Sequence, residues 1–260
     1  MTSIAIINLK GGVGKSVTAC NLAAEFADKG KTVLVVDLDK QGNTSKFFEV
    51  CDYDRPSVAQ VLTGESTAQN TVRIAKSPAG VGVLPCDMRM LKTNRSIMLD
   101  NGPRQYYLRD ALEPVSLAYD ICLLDCPPDL DMGSINALCM ADWALIPVDC
   151  DEWACDGMAE IIDQIHQVQM YYNPRLKIMG TLLTKYRCTI YAATVAQQLH
   201  DLQDVPLLQT VIRYTVRVSE AKSEHKPLMD YDPFCTAAQD YSALAYEILG
   251  IVSKSDTQEG

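Results

Sequence analysis

Seven short apolar runs punctuate the chain, at residues 3–8, 32–37, 81–85, 121–125, 143–148, 177–184 and 207–212. They are rich in Val, Ile and Leu, and most lack the polar alternation of a half-solvated strand. Such a strand is buried on both faces, as in a parallel sheet covered by helices. Stretches with helical spacing lie between them, at residues 15–30, 132–141, 156–172, 192–202 and 237–249. Gly30 stands where the first of these ends, a position that favours a left-handed cap. Strand alternating with helix predicts an α/β fold: a doubly wound, mostly parallel β-sheet with helices on both faces. No repeat, low-complexity block or long polar linker divides residues 1–250, which are expected to form one domain. Residues 251–260 turn polar and are expected to be a disordered, frayed tail.

Composition narrows the classes. At 260 residues and 48% hydrophobic content the chain can bury a sizeable core. No apolar run approaches the roughly 18–20 residues a membrane span needs. The start runs directly into Ser3-Ile-Ala-Ile-Ile-Asn-Leu9, without a basic segment or a small-residue cleavage site, so a cytoplasmic protein is expected. Residues 254–260 offer no basic amphipathic helix, which argues against a membrane surface. The ten cysteines contain no Cys-x-x-Cys pair and mostly sit in apolar surroundings, where a thiol behaves as a small hydrophobe. The formal charge of −10 argues against a general polyanion binder, because phosphate backbones are held chiefly by Lys and Arg.

The strongest chemical signal follows the first strand. Lys10-Gly-Gly-Val-Gly-Lys15-Ser16 places a glycine-rich turn between a strand and a helix. That arrangement lets backbone N–H groups cradle phosphates. Gly11, Gly12 and Gly14 permit the turn and the close approach of a polyanion. Lys15 would reach the β- and γ-phosphates, and the Ser16 hydroxyl would ligate Mg²⁺. The ordinary loop carries its first glycine where this chain has Leu9, and Lys10 adds a second lysine. Lys10 is either a solvated charge or a group that serves a second nucleotide across a dimer interface, as an arginine finger does in trans.

Two carboxylate-tipped strands accompany the loop. Residues 33–37 end at Asp37, with Asp39 two positions on; strand alternation would set both on one face, towards the loop. One carboxylate can hold the metal shell while the other orients water. Ile121-Cys-Leu-Leu-Asp125-Cys-Pro-Pro128 supplies a third, at the kind of strand end where P-loop ATPases hold Mg²⁺.

Together these elements resemble the ParA/Soj family of partitioning ATPases, relatives of MinD whose phosphate loop is of the deviant Walker A type. The resemblance also takes in Asp37-Leu-Asp-Lys-Gln-Gly-Asn-Thr44, Val83-Leu-Pro85, Ile135-Asn-Ala-Leu138, Ile146-Pro-Val148, Val216-Arg-Val-Ser-Glu-Ala221, Pro227 and Tyr231-Asp-Pro233. It implies a P-loop NTPase that binds ATP and Mg²⁺ and pairs as an ATP sandwich homodimer. Nucleotide contacts then fall on Gly11, Gly12, Val13, Gly14, Lys15, Ser16 and Val17, with Lys10 reaching the partner's nucleotide. Ser16 and Asp125 would hold Mg²⁺, Asp37 would support the metal and switch region, and Asp39 would position the attacking water.

The resemblance further implies slow hydrolysis stimulated by a ParB-like partner, and binding of DNA without sequence preference in the ATP state. The chain departs from the family pattern at Lys40, where proline is usual. It departs again at Ile212-Arg213-Tyr214-Thr215 in place of Ile-Pro-Arg-Asn, and at Lys222 in place of a second proline. The basic candidates for DNA are Lys185, Arg187, Arg213, Arg217, Lys222 and Lys226; their bland alternative is a solvated face. A second function of the same class is positioning a protein cargo without DNA as the track. A third, electron transfer through a shared iron–sulfur cluster, would need two cysteines per chain at a dimer face, for which Cys126 and Cys86 are the candidates.

Overall fold

The computed structural model describes residues 1–150, 157–200 and 205–259. Among them a single sheet runs through β1 (Thr2–Ile6), β2 (Val33–Asp37), β3 (Arg73–Ile74), β4 (Val81–Leu84), β5 (Ile121–Asp125), β6 (Trp143–Asp149) and β7 (Lys177–Thr184). Their spatial order is β3-β4-β2-β5-β1-β6-β7. Every pairing is parallel except β3 with β4. The doubly wound α/β architecture is therefore as the hydrophobic pattern predicts.

Alternate residues of each strand feed two separate cores. Leu34, Val36, Leu84, Leu124 and Ile146 pack under the helices Arg89–Met98, Met132–Met140 and Met158–Tyr171. Val33, Val35, Val83, Leu123 and Leu145 pack under Lys15–Asp28 and Thr236–Glu259. Each such side chain contributes about 1.5–3 kcal/mol when fully buried, which explains the near absence of polar residues in the central strands. Gly30, at φ +77°, ends the first helix as expected, with the Lys31 amide donating back to Phe26 O at 3.0 Å.

Three departures have local causes. The run at residues 207–212 meets β7 through an isolated bridge between Leu207 and Thr181 and through the Leu208 and Ile212 amides, which donate to Thr181 O and Leu183 O at 3.0 and 2.8 Å, but it forms no strand of its own. The Gln209 and Thr210 amides donate instead to the Glu247 carboxylate, at 2.8 and 2.9 Å, and so leave the ladder. The helix Arg89–Met98 escapes notice because only Met90, Thr93 and Ile97 along it are buried. Residues 251–259, expected to fray, continue the last helix to Glu259, with Ile251 and Val252 packed on the second core.

Candidate functional site

The carboxyl ends of β1, β2 and β5 meet at one place. Register pairs Asp125 with Asp37 on one side and with Ile6 on the other. From Ile6 the chain turns through the glycine loop into the helix Lys15–Asp28. Gly12 and Gly14 hold φ of +80° and +93°, a conformation that L side chains rarely adopt. Gly14 is the N-cap and supplies no side-chain acceptor, so the helix opens with uncapped amides and the positive end of its dipole. Behind the loop, Thr184 at the end of β7 donates its hydroxyl to Val13 O at 2.8 Å and anchors the turn.

Lys15 arches over this loop. It is 7% exposed, and its ammonium donates to Asn8 O at 2.8 Å and Lys10 O at 3.0 Å. Burial lowers its pKa, opposed by the charges of Asp125, Cys126, Asp39 and Asp129. Lys10 is half-buried, with its amide on Asn8 Oδ1 at 2.9 Å.

The three carboxylates occupy three different environments. Asp37 is wholly buried; one oxygen accepts the Ser45 amide and hydroxyl at 2.8 and 2.6 Å, and the other accepts the Asp39 amide at 3.1 Å. Burial and the neighbouring Asp125 hold its carboxyl well above the ordinary range. Asp125, also fully buried, accepts the Thr44 hydroxyl on Oδ2 at 2.6 Å and is hydrogen-bonded by Ser16. Burial pushes it upward, against the pull of those hydroxyls and of Lys15. Its Oδ1 is buried with no hydrogen-bond partner. Asp39 lies beyond the strand end, accepts the Gln41 amide at 2.9 Å and borders the cleft. Asp37 and Asp39 thus do not share a strand face, because β2 stops at Asp37 and the chain turns.

A cleft of about 190 Å³ is lined by Gly11, Gly12, Lys15, Ser16, Asp39 and Pro128, among others. A second of about 210 Å³, lined by Ile212, Tyr214, Thr215, Val218 and Tyr241, adjoins it through Gly12, Gly14, Val17 and Lys222. The polar half has the size and donors for phosphates, and the other half is more apolar. Lys40, which follows the cleft-lining Asp39, pairs with Asp129 at 2.7 Å. The unmatched Asp125 oxygen beside the Ser16 hydroxyl is the donor set that a hard divalent cation takes. Mg²⁺ with its own waters and phosphate oxygens needs few protein ligands.

The basic candidates for DNA are mostly engaged elsewhere. Arg213 forks onto Asp240, Arg217 pairs with Glu220 and Asp232, and Lys185 pairs with Asp149. Arg187 stacks on the Tyr214 ring at 3.9 Å. Lys222 borders the cleft instead. Cys86 and Cys126 are buried in the first core. Thr44, Ser45, Asn8 and Thr184 were not anticipated as site residues; Thr44 ends the motif that opens at Asp37, the one signal that pointed to it.

Residues 1–178 match the profile of a family described as an AAA domain. The chain is 36% identical over 250 residues to the chromosome partitioning protein ParA of Caulobacter vibrioides (strain NA1000 / CB15N), covering 95% of this chain and 93% of that one. It is 34% identical over 247 residues to the sporulation initiation inhibitor protein Soj of Bacillus subtilis (strain 168), covering 94% and 97%. The chain belongs to the ParA/Soj family of partitioning ATPases. Among solved structures, cobyrinic acid a,c-diamide synthase from Mycobacterium smegmatis, with bound ATP analog and magnesium, superposes with a TM-score of 0.85 at 27% identity. That match covers 96% of this chain and 94% of that one. The cell division ATPase MinD of Pyrococcus furiosus shares the fold at a TM-score of 0.79 and 24% identity, over 96% and 99% of the two chains. Within this ParA/Soj frame, Lys222 stands out because it lines both halves of the cleft.

Proposed function

We propose that the chain binds ATP with Mg²⁺ in this cleft, hydrolyses the γ-phosphate bond, and uses the cycle to partition DNA. The observation that carries the reading is the uncapped helix start at Gly14 facing Lys15, Ser16 and the unmatched Asp125 oxygen. The amides of residues 11–16 and the Lys15 ammonium gather the phosphate oxygens, with Lys15 exchanging its two carbonyl partners for them. Ser16 and Asp125 would hold Mg²⁺, which would supply charge neutralisation at the phosphates. Asp37 keeps the Asn43–Phe47 helix in place through Ser45, and Asp39 orients the attacking water by accepting its hydrogen bond.

Two copies then face each other across the nucleotides, with Lys10 of each reaching the other's phosphates, and return to monomers after slow hydrolysis. A ParB-like protein stimulates that step, and the ATP dimer holds DNA without sequence preference in the cytoplasm. The relatives named for chromosome partitioning support this reading. The test is Mg²⁺-dependent phosphate release together with DNA retention measured over a salt series. Retention that requires ATP and falls steeply with salt supports it; wild-type protein that releases no more phosphate than Lys15→Ala sinks it.

A second reading, positioning of a protein cargo without DNA as track, is favoured by the ion pairs that occupy Arg213, Arg217 and Lys185. Absence of any ATP-dependent DNA retention at low salt, with hydrolysis intact, would select it.

A further inference from the structure

Lys222 differs from its neighbours in the late basic group. Arg213 is paired with Asp240, Arg217 with Glu220 and Asp232, and Lys226 with Glu224. Lys222 has no carboxylate partner among the described residues. It lies in the last turn of the helix Arg217–Ser223 and lines both halves of the cleft. Gly12, Gly14 and Val17 are the other residues common to the two halves. Lys222 therefore borders their junction, together with Gly14 and Val17 at the start of the helix Lys15–Asp28. In a chain of net charge −10, this lysine borders a loop built for anions.

We propose that Lys222 is a phosphate-binding residue of this cleft, contacting in cis the phosphate nearest the nucleoside. This rests on the nucleotide reading above, and it moves Lys222 out of the group assigned to DNA. The position follows from the order along the cleft. Lys15, Ser16 and Asp39 mark the phosphate end, Ile212, Tyr214 and Tyr241 the other, and Lys222 stands between. ATP and ADP share the phosphate at that point, and adenosine lacks it.

The test is calorimetric titration of the full chain, wild type, Lys222→Ala and Lys222→Arg, with ATP, ADP, adenosine and tripolyphosphate. Lys222→Ala is expected to weaken ATP and ADP by the same factor, about three- to tenfold for a charged contact at a partly exposed site. It should weaken tripolyphosphate as well and leave adenosine unchanged, and Lys222→Arg should retain most of the affinity. Unchanged ATP and ADP binding in Lys222→Ala overturns the proposal, as does a loss of DNA retention with nucleotide affinity intact. If the wild type takes up no ATP, the nucleotide reading itself has failed. Lys222 is then judged on tripolyphosphate alone, where a loss in Lys222→Ala supports the anion site and no loss, or no binding by the wild type, overturns it.

Discussion

Asp37 and Asp125 stand in register at the ends of the adjacent parallel strands β2 and β5, both completely removed from solvent. Two anions at that spacing in a low-dielectric interior repel, and the pair titrates as a unit. Ser45 satisfies one carboxyl through its amide and hydroxyl, and Thr44 serves the other through its hydroxyl alone. The short helix Asn43–Phe47 is thus tied to the ends of two strands at once.

This arrangement fixes the sign of a pH effect. Burial holds both carboxyls above the usual range, with Asp125 adding to the rise at Asp37. The folded chain therefore keeps protons that the unfolded chain, with Asp pKa about 3.9, has released. The resulting stability is complete below about pH 4 and is lost as pH rises through the folded-state values. Asp125→Asn removes one of these groups. In chelator-treated, metal-free buffer, the decline in melting temperature between about pH 4 and about pH 8 should be shallower in the variant. An identical slope would mean that Asp125 ionises in the folded chain as easily as in water.

Thr44→Val tests the other side of the contact. The substitution keeps the volume but leaves Asp125 Oδ2 without its 2.6 Å donor. With Ser16 still bonding the carboxyl, loss of this one hydrogen bond costs about 0.5–1.5 kcal/mol, so the urea midpoint should fall by that amount divided by an unchanged m-value. A midpoint equal to wild type would show that water replaces the hydroxyl.

How much of this was legible beforehand follows from which signals are local. Glycines before Lys15, and carboxylates at the ends of apolar runs, are features of consecutive residues, so Gly12, Gly14, Lys15, Ser16 and Asp125 could be read directly. The roles of Thr44 and Ser45 depend on a turn at Gly42, whose φ of +63° brings the short helix back under the strand ends. A Cβ there would lie 2.8 Å from Cys86 O, a contact between residues far apart in the chain. The same limit applies to the basic residues. Arg213 and Asp240 are 27 positions apart, and nothing near either one announces the other.

The two lysines of the loop should separate cleanly. Lys15 is buried against the loop carbonyls, whereas Lys10 is only half-buried. Lys15→Ala is expected to abolish nucleotide binding. Lys10→Ala should bind ATP with near wild-type affinity yet remain monomeric, and Asp39→Ala should accumulate as an ATP dimer with little phosphate release. Titration calorimetry and light scattering with ATP read all three. A Lys10→Ala protein that still dimerises on ATP would refute the role in trans.

Arg213 poses the sharpest choice between fold and function. Asp240 receives its guanidinium at 2.7–3.0 Å and its backbone amide at 2.8 Å, which ties the segment after residue 212 to the last helix. The guanidinium is nearly half exposed, so the ion pair itself contributes at most about 1 kcal/mol. Losing the acceptor for a part-buried amide costs about 1–3 kcal/mol. Asp240→Ala should therefore destabilise the chain more than Arg213→Ala does. If the pair is a strut, Arg213→Ala lowers the melting temperature slightly and leaves ATP-dependent DNA retention at its wild-type salt slope. A slope reduced by about one unit, at unchanged melting temperature, would mean that the guanidinium leaves Asp240 to meet a DNA phosphate. The carboxylate would then be acting as a competitor that keeps Arg213 from DNA until the dimer forms.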